Sequence, residues 1–180
     1  MERRAVPENL PGTLGLKRDA ALVALSQDHH AALVQAQALT RAAEGRQPYH
    51  RPGAAAKVAR AFLAFRQAEL VGHFSDEEDV LVPEAERVDP DGTARVRAEH
   101  AQLNALASEL DVALREGRDP GAVMAALGSL LHDHVRYEER AWFEALQARL
   151  GAPELLRLGR ALEAHREARG GPGCALSPPR

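Results

Sequence analysis

Apolar residues recur along this chain at alternating spacings of three and four, which is the period of one buried face of an α-helix. Five segments carry this pattern, and glycine, proline or short polar loops separate them. They cover about residues 17–44, 54–82, 93–116, 120–150 and 153–169. No segment has the strict apolar–polar alternation that is typical of a half-buried β-strand. The pattern therefore predicts an all-α fold.

The ends of the helices are predicted from residues that interrupt or begin helices. Pro83 and the segment DPDG at residues 89–92 predict the end of the second helix, at Val82, and the start of the third at Thr93. Asp119 and Pro120 match an N-cap and a first-turn proline of the fourth helix. Four long helices with short connections predict an antiparallel up-and-down four-helix bundle, to which the short fifth helix is an addition.

The chain is expected to divide into an N-terminal arm at residues 1–16, a four-helix domain at residues 17–150, and an additional helix with a tail at residues 151–180. The single cysteine, Cys174, lies in that tail, so a disulfide framework is not expected. Hydrophobic residues make up 45% of the chain, which is typical of a globular fold.

Charge and hydropathy limit the classes of partner that we expect. The net charge is -3, and the 23 basic residues are spread along the sequence, which indicates neither a nucleic-acid surface nor a membrane surface. The N-terminus has no apolar signal segment, and no apolar run approaches the roughly 20 residues that cross a bilayer. We therefore expect a cytoplasmic protein.

The predicted core face of each long helix is interrupted near its middle by a histidine. The four faces are Leu22, Leu25, His29, Ala32, Ala36 and Leu39; Leu63, Leu70, His73, Glu77 and Val80 or Leu81; Val96, His100, Leu103, Ala107, Leu110 and Leu114; and Leu127, Leu131, His134, Glu138, Ala141 and Ala145. A lone histidine on such a face is usually a core residue with an ordinary hydrogen bond. Four of them, with two carboxylates one turn later, indicate a metal site, because unpaired buried charges strongly destabilise a fold.

The two carboxylates belong to a motif, H-x-x-x-E-E, that occurs at residues 73–78 and again at 134–139. Residues four apart share a helical face, about 5–6 Å apart at Cβ, so a histidine and a glutamate at this spacing can bind one ion or two neighbouring ions. Each motif follows a helix with an acidic residue directly before a histidine, in QDHH and AEH. Two such hairpins related by a pseudo-twofold axis predict a pair of metals. This ligand set exceeds the four ligands of zinc and favours iron or manganese.

These motifs resemble the hemerythrin-like HHE cation-binding domain family, in the family's order and over about residues 20–148. The resemblance implies a four-helix bundle around two non-haem iron ions, with carboxylate bridges and an oxo or hydroxo bridge. The metal ligands that it implies are His29, His73, Glu77, His100, His134 and Glu138. Oxygen-carrying hemerythrins have a further histidine where this chain has Asn104. One iron is therefore expected to have fewer protein ligands, which argues against simple reversible storage of O2.

The ligand of the first helix is either His29 or His30, which are adjacent in the sequence. His29 shares its face with apolar residues, whereas the face of His30 is more polar, so His29 is favoured. His132 is two residues from His134 and therefore lies on a different face. It is expected to be exposed or to support a ligand.

Four acidic residues lie next to the expected ligands in the sequence. Asp28 and Glu99 each precede a ligand histidine, and we expect them to be exposed or to contact a ligand rather than the metal. Glu78 and Glu139 each follow a ligand glutamate and lie one residue off the core face, which favours a solvated position for both.

The expected function is to bind or sense O2, or a related small ligand such as nitric oxide or peroxide, at the di-iron site. Neutral imidazoles make the site less anionic than a carboxylate-rich one, which favours retention of ferrous iron. Ferritin-like enzymes use E-x-x-H pairs, and none of these lies on a predicted core face. The alternatives are a di-iron enzyme that oxidises iron or consumes peroxide, and an interaction module in which the metal stabilises the bundle. A binding protein is favoured over an enzyme, and no protein partner is indicated.

Overall fold

The computed structural model describes residues 17–46 and 48–170. Every secondary-structure element within these residues is helical, as the apolar pattern predicts. The expectations for the N-terminal arm, residues 1–16, and for the tail with Cys174 lie outside the described residues, so the division into three parts stays a prediction. None of the described helices is long and apolar enough to cross a membrane. The cellular location also stays a prediction.

The described residues contain five long helical stretches. The first, α1, covers Val23–Ala43 and follows a 3-10 turn at Ala20–Leu22. The second, α2, covers residues 54–88 as Ala54–Phe65, Val71–Asp76 and Val82–Val88, joined by π-helical turns at Arg66–Leu70 and Glu77–Leu81. The third, α3, covers Pro90–Arg115. The fourth, α4, covers residues 121–149 as Gly121–Tyr137 and Phe143–Arg149, joined by a π-helical turn at Glu138–Trp142, and the fifth, α5, covers Ala152–Ala168.

The predicted end of the second helix at Val82 is wrong, because α2 continues through Pro83 to Val88. The proline directly follows the π-helical turn Glu77–Leu81, in which the N–H of Val82 donates to the carbonyl of Glu77. In this wider turn the α-helical hydrogen-bond ladder is already interrupted. The missing N–H of the proline therefore falls where the helix has changed its bonding pattern, and it does not end the helix.

The segment DPDG is also not the turn that its composition predicts. Only Asp89, with φ -145° and ψ 68°, departs from helical geometry. Pro90 is already the first residue of α3, three residues before the predicted start at Thr93. Proline is well suited to a first helical position, because the N–H that it lacks has no partner within the helix there.

The start of α4 differs from the prediction by one residue. Pro120 is the N-cap and Gly121 is the first helical residue, whereas the sequence predicted Asp119 as the N-cap. The Asp119 carboxylate still accepts a hydrogen bond from the N–H of Gly121 at 3.0 Å. The acidic residue therefore stabilises this helix start from one position further out.

A π-helical turn moves the buried face of α4. The predicted core positions Ala141 and Ala145 are wrong, since Ala141 is exposed and Ala145 is half-buried. The turn Glu138–Trp142 holds more residues than an α-helical turn, so the positions after it are rotated relative to an uninterrupted helix. The buried positions are instead Trp142, Phe143 and Leu146.

The helices pack so that α1 contacts both α2 and α4, and α3 contacts the same two helices. The fifth helix, α5, packs on the 3-10 turn before α1 and on the middle of α2, including the π-helical turn Glu77–Leu81. The buried apolar residues form two separate clusters. One includes Leu39, Phe62, Leu110 and Leu127, and the other includes Leu25, Leu81, Trp142 and Leu158.

A layer of buried polar residues lies between the two apolar clusters in the sequences of α1, α2, α3 and α4. This polar layer consists of His29, His73, Glu77, His100, His134 and Glu138. In α1, for example, Leu25 of one cluster precedes His29, and Ala32 of the other cluster follows it. The fold therefore places all six predicted ligands at one level of the core.

Candidate metal centre

The six residues of the polar layer have relative exposures between 0% and 5%. They form two overlapping groups whose potential ligand atoms lie within 4.8 Å of one another. One group is His29, His73, Glu77 and Glu138, and the other is Glu77, His100, His134 and Glu138. Each group has its own pair of histidines, and both groups share the two glutamates.

The distances place both glutamate carboxylates between the histidine pairs. In the first pair, Nε2 of His29 lies 3.1 Å from Nε2 of His73 and 3.1 Å from Oε2 of Glu138. Nε2 of His73 lies 3.4 Å from Oε1 of Glu77. The second pair meets the same two carboxylates, because Nε2 of His100 lies 3.2 Å from Oε2 of Glu77. Each carboxylate can therefore reach toward two metal positions.

Several atoms of the polar layer have no hydrogen-bond partner among the described residues. They are both carboxylate oxygens of Glu77, both of Glu138, and Nε2 of His100 and of His134. These atoms are close together, yet their directions do not satisfy hydrogen-bond geometry. Buried carboxylates without donors are strongly destabilising. Metal ions between the two glutamates would satisfy all six atoms, so the residues fit a metal centre.

The outer nitrogen, Nδ1, of every histidine in the layer faces a carboxylate from a neighbouring helix. The pairs are His29 with Glu139 at 2.6 Å, His73 with Asp28 at 3.3 Å, His100 with Glu78 at 2.8 Å, and His134 with Glu99 at 2.9 Å. An ionised carboxylate only accepts hydrogen bonds, so Nδ1 donates in each pair. In the neutral imidazole this leaves the lone pair on Nε2, which points into the centre, as metal-binding histidines require.

These outer carboxylates follow a cyclic order around the four helices. Each of α1, α2 and α3 supplies the carboxylate for the histidine of the next helix, and α4 supplies the one for α1. The solvated position expected for Glu78 and Glu139 is therefore an incomplete description, since each carboxylate bonds to a histidine of the polar layer. The signal in the sequence is the second glutamate of H-x-x-x-E-E, which both copies of the motif contain.

The surroundings of two histidines favour their protonated form when no metal is bound. Burial lowers the pKa of His29, but the nearby carboxylates of Glu138 and Glu139 outweigh this effect and raise the pKa to about 10. Burial likewise lowers the pKa of His100, whereas the nearby carboxylate of Glu77 raises it to about 9. Both imidazoles are therefore in the protonated, positively charged form at neutral pH in the metal-free fold.

The same interactions keep the facing carboxylates ionised. Burial raises the pKa of Glu77, but the charge of His73 and the close approach of His100 lower it to about 2. Burial also raises the pKa of Glu139, and the hydrogen bond from His29 is the largest of the effects that lower it to about 2. In the metal-free fold, the ionised carboxylates of Glu77 and Glu139 thus face the protonated imidazoles of His100 and His29, from which an entering cation must displace protons.

Aromatic rings lie against three of the histidines. Phe143 stacks on His29, with ring centroids 5.5 Å apart and planes at 16°. Phe74 stacks on His100 at 4.0 Å and meets the edge of His134 at 6.0 Å. Both phenylalanines are buried. They limit the rotation of the imidazoles and keep water from this part of the core.

The remaining candidates lie outside the layer. His29 is buried and His30 is exposed, so burial favours His29 as the candidate on α1. The side chain of His132 is 52% exposed, and its Nδ1 lies 2.9 Å from the carboxylate of its neighbour Asp133. Asn104, where oxygen-carrying hemerythrins have a histidine, accepts a hydrogen bond from the Arg66 guanidinium at 2.7 Å.

The family comparison agrees with this centre. The family model named Hemerythrin HHE cation binding domain matches residues 21–146. That range contains all six residues of the polar layer and the four outer carboxylates, and it ends before α5. No curated protein and no solved structure matches this chain.

Proposed function

This chain belongs to the hemerythrin HHE cation-binding family, and we propose that its polar layer binds two non-haem iron ions and, through them, O2 or a related small ligand such as nitric oxide or peroxide. The observation that carries the proposal is the pair of overlapping donor groups. Two glutamates, Glu77 and Glu138, are shared by two separate histidine pairs. One ion in each group would use every donor of the layer, with Glu77 and Glu138 as the ligands that both groups share.

The types of donor support iron. Imidazole and carboxylate without thiolate are ligands typical of iron and manganese, and they do not indicate an iron–sulfur cluster. Each group offers two histidines and the two shared glutamates. That set would complete a tetrahedral zinc site, whereas an octahedral iron would keep positions open for solvent or a small ligand. A pair of ferrous ions supplies electrons and open coordination positions, which is the chemistry that binding of O2 requires.

The outer carboxylates and the two phenylalanines around the donors support the proposed centre in different ways. The outer carboxylates hold each imidazole in the tautomer and orientation that point Nε2 inward. Phe74 and Phe143 exclude water from the faces of the histidines. The four neutral imidazoles keep the centre less anionic than one made of carboxylates, and this favours retention of ferrous iron over its oxidation.

We also propose that the four long helices form an antiparallel up-and-down bundle with α5 added outside it. The support is the order of the apolar clusters along the chain. In α1 and α3 the cluster with Leu25 and Val96 comes before the polar layer, whereas in α2 and α4 the same cluster, with Leu81 and Trp142, comes after it. Helices that alternate in direction would have this order.

The test is an absorption titration of purified protein that has been loaded with ferrous iron. We expect about two irons per chain and a near-ultraviolet charge-transfer band that changes on addition of O2, azide or nitric oxide. Protein loaded with zinc is the matched control, and its spectrum should not respond. One tightly bound zinc per chain, with no uptake of iron, would refute the di-iron site. Sustained consumption of peroxide or of ferrous iron would favour the enzyme over the binding protein.

A further inference from the structure

The fifth helix, α5, lies beyond the residues that match the family, yet its arginines reach the carboxylates beside the polar layer. The Arg166 guanidinium donates to Oδ2 of Asp28 at 2.6 Å, and its Nε lies 2.7 Å from Oδ2 of Asp76. Asp28 is the outer carboxylate that bonds to Nδ1 of His73. A chain of contacts therefore runs from α5 through Asp28 to a candidate metal ligand.

Asp76 fixes the arginine in this position. Its side chain is 2% exposed and pairs with Arg166 of α5 and with Arg169, the residue directly after α5. Gly72 lies one turn earlier on α2, and a Cβ there would clash with the Arg169 guanidinium. The absence of a side chain at this glycine lets the arginine approach the buried carboxylate. The guanidinium of Arg166 is thus held between two carboxylates, one on α1 and one on α2.

The apolar face of α5 holds the helix against the fold. Leu155, Leu158 and Leu162 are buried in the same cluster as Leu25 and Leu81. Gly159 approaches the 3-10 turn before α1 so closely that a Cβ would lie 3.3 Å from Ala21. The position of Arg166 is therefore determined by packing along the length of α5.

We propose that α5 positions one half of the metal centre, because Arg166 holds Asp28 against Nδ1 of His73 and thereby sets the affinity of the His29 and His73 half for its ion. This inference rests on the proposed function, and Arg166 acts through other residues as a positioning residue. The other half differs, since the outer carboxylate Glu99 is held by Arg95 of its own helix. Displacement of α5, for example by a partner, would weaken the binding of the ion held by His29 and His73 and would leave the binding of the other ion unchanged.

The experiment compares Arg166→Gln with Arg160→Gln, which changes an exposed arginine of the same helix. Each full-length protein is loaded with ferrous iron, and the two ions are withdrawn by competition with a chelator. Loss of a residue that supports a metal ligand typically weakens binding about 10- to 100-fold. In Arg166→Gln we expect the affinity for one ion to fall by this factor and the affinity for the second ion to stay unchanged. In Arg160→Gln we expect no change in either affinity.

A double-mutant cycle with Asp28→Asn tests the route of the effect. If Arg166 acts through Asp28, Arg166→Gln should change the affinity less than twofold once Asp28→Asn is present. Arg166→Lys keeps the charge but cannot bond to two carboxylates as a planar guanidinium does, so it should weaken the same ion to a smaller extent. If Arg166→Gln does not fold, Arg166→Lys provides the test of whether Arg166 affects the affinity for that ion.

Three results would overturn the inference: equal weakening of both ions, no weakening of either, or additive effects of the two substitutions. A merely structural role would lower the unfolding temperature of the metal-free protein and would not distinguish the ions. If the unchanged protein takes up no metal, the proposed function itself fails and this inference fails with it. If the unchanged protein binds two ions but the substitutions do not have the expected effects, the inference alone fails and the proposed function stands.

Discussion

His134 and His132 have opposite surroundings although they lie two positions apart in α4. The side chain of His134 is 1% exposed, its Nδ1 donates to Glu99, and its Nε2 lies 3.4 Å from Oε2 of Glu138. His132 is 52% exposed and contacts its neighbour in the chain. Two residues of the same type on one helix therefore make a matched pair for testing the metal centre.

We expect His134→Ala to lose metal and to lower the free energy of unfolding by about 3 kcal/mol or more, because it removes a buried imidazole that lies beside the carboxylates of Glu99 and Glu138. His132→Ala should retain the metal and change the unfolding free energy by less than about 0.5 kcal/mol. Metal analysis and urea unfolding of both variants measure these effects. Loss of metal from His132→Ala with retention in His134→Ala would contradict the assignment.

Metal binding near neutral pH should release protons. The metal-free pKa is about 10 for His29 and about 9 for His100, so both imidazoles must be deprotonated before Nε2 can bind an ion. We expect release of about two protons per chain and weaker binding as the pH falls. Calorimetric titration in two buffers of different ionisation enthalpy measures the release. Binding heats that do not depend on the buffer would exclude this protonated metal-free state.

The metal-free protein should be most stable in weakly acidic solution. The folded-state pKa values of His29 and His100 lie above the ordinary value of 6.5, so their contribution to stability is fully present below pH 6.5 and is lost as the pH rises through 9 and 10. The pKa of Glu77 is lowered from 4.5 to about 2, so its contribution is present above pH 4.5 and is lost as the pH falls toward 2. Urea unfolding across the pH range should therefore give a maximum between 4.5 and 6.5 and not above 9.

The candidate ligands could be found from sequence because ligand and core positions share one helical period. His73 and Glu77 are four apart on the face that also carries Leu70 and Leu81. The roles of Glu78 and Glu139 could not be found in this way. Each lies off its own helix's core face, and its bond is to a histidine on another helix, so the contact depends on how two helices are placed side by side.

The π-helical turns account for two of the differences between the predicted and observed helices, at Pro83 and at Ala141. Two of the three described turns begin at Glu77 and Glu138, the two shared carboxylates. Helical periodicity assumes one constant number of residues per turn, so it cannot predict where a wider turn occurs or how it rotates the residues that follow. The predicted buried positions of α4 are therefore correct up to Glu138 and wrong at Ala141. In α2, the helix continues through Pro83, where the sequence predicts its end. Such turns are frequent at functional sites.

The packing of α5 can be tested with two leucines of the same helix. Leu158 is 3% exposed in the apolar cluster, whereas Leu156 is 59% exposed. We expect Leu158→Ala to lower the free energy of unfolding by about 2–5 kcal/mol, because it removes buried apolar surface and leaves a cavity. Leu156→Ala should have an effect of less than about 0.5 kcal/mol. Denaturant unfolding of the two metal-free variants provides the comparison, and equal effects would argue against this orientation of α5.

At the scale of the whole molecule, the polar layer separates the two apolar clusters, so the core is divided at the level of the candidate ligands. Without metal, this layer depends on charge pairs between histidines and glutamates. A bound ion that recognises only the folded state would add stability in proportion to the logarithm of its concentration over its dissociation constant. Site and fold are therefore coupled, because the residues that would bind metal also join the two halves of the core.

The defining feature of the proposed metal centre is a pair of ions that share Glu77 and Glu138. Anomalous diffraction at the iron absorption edge, from crystals of the iron-loaded protein, tests this directly. We predict two anomalous peaks, one bound by His29 and His73 and the other by His100 and His134, with the two carboxylates between them. A single peak, or peaks bound by other residues, would contradict the account.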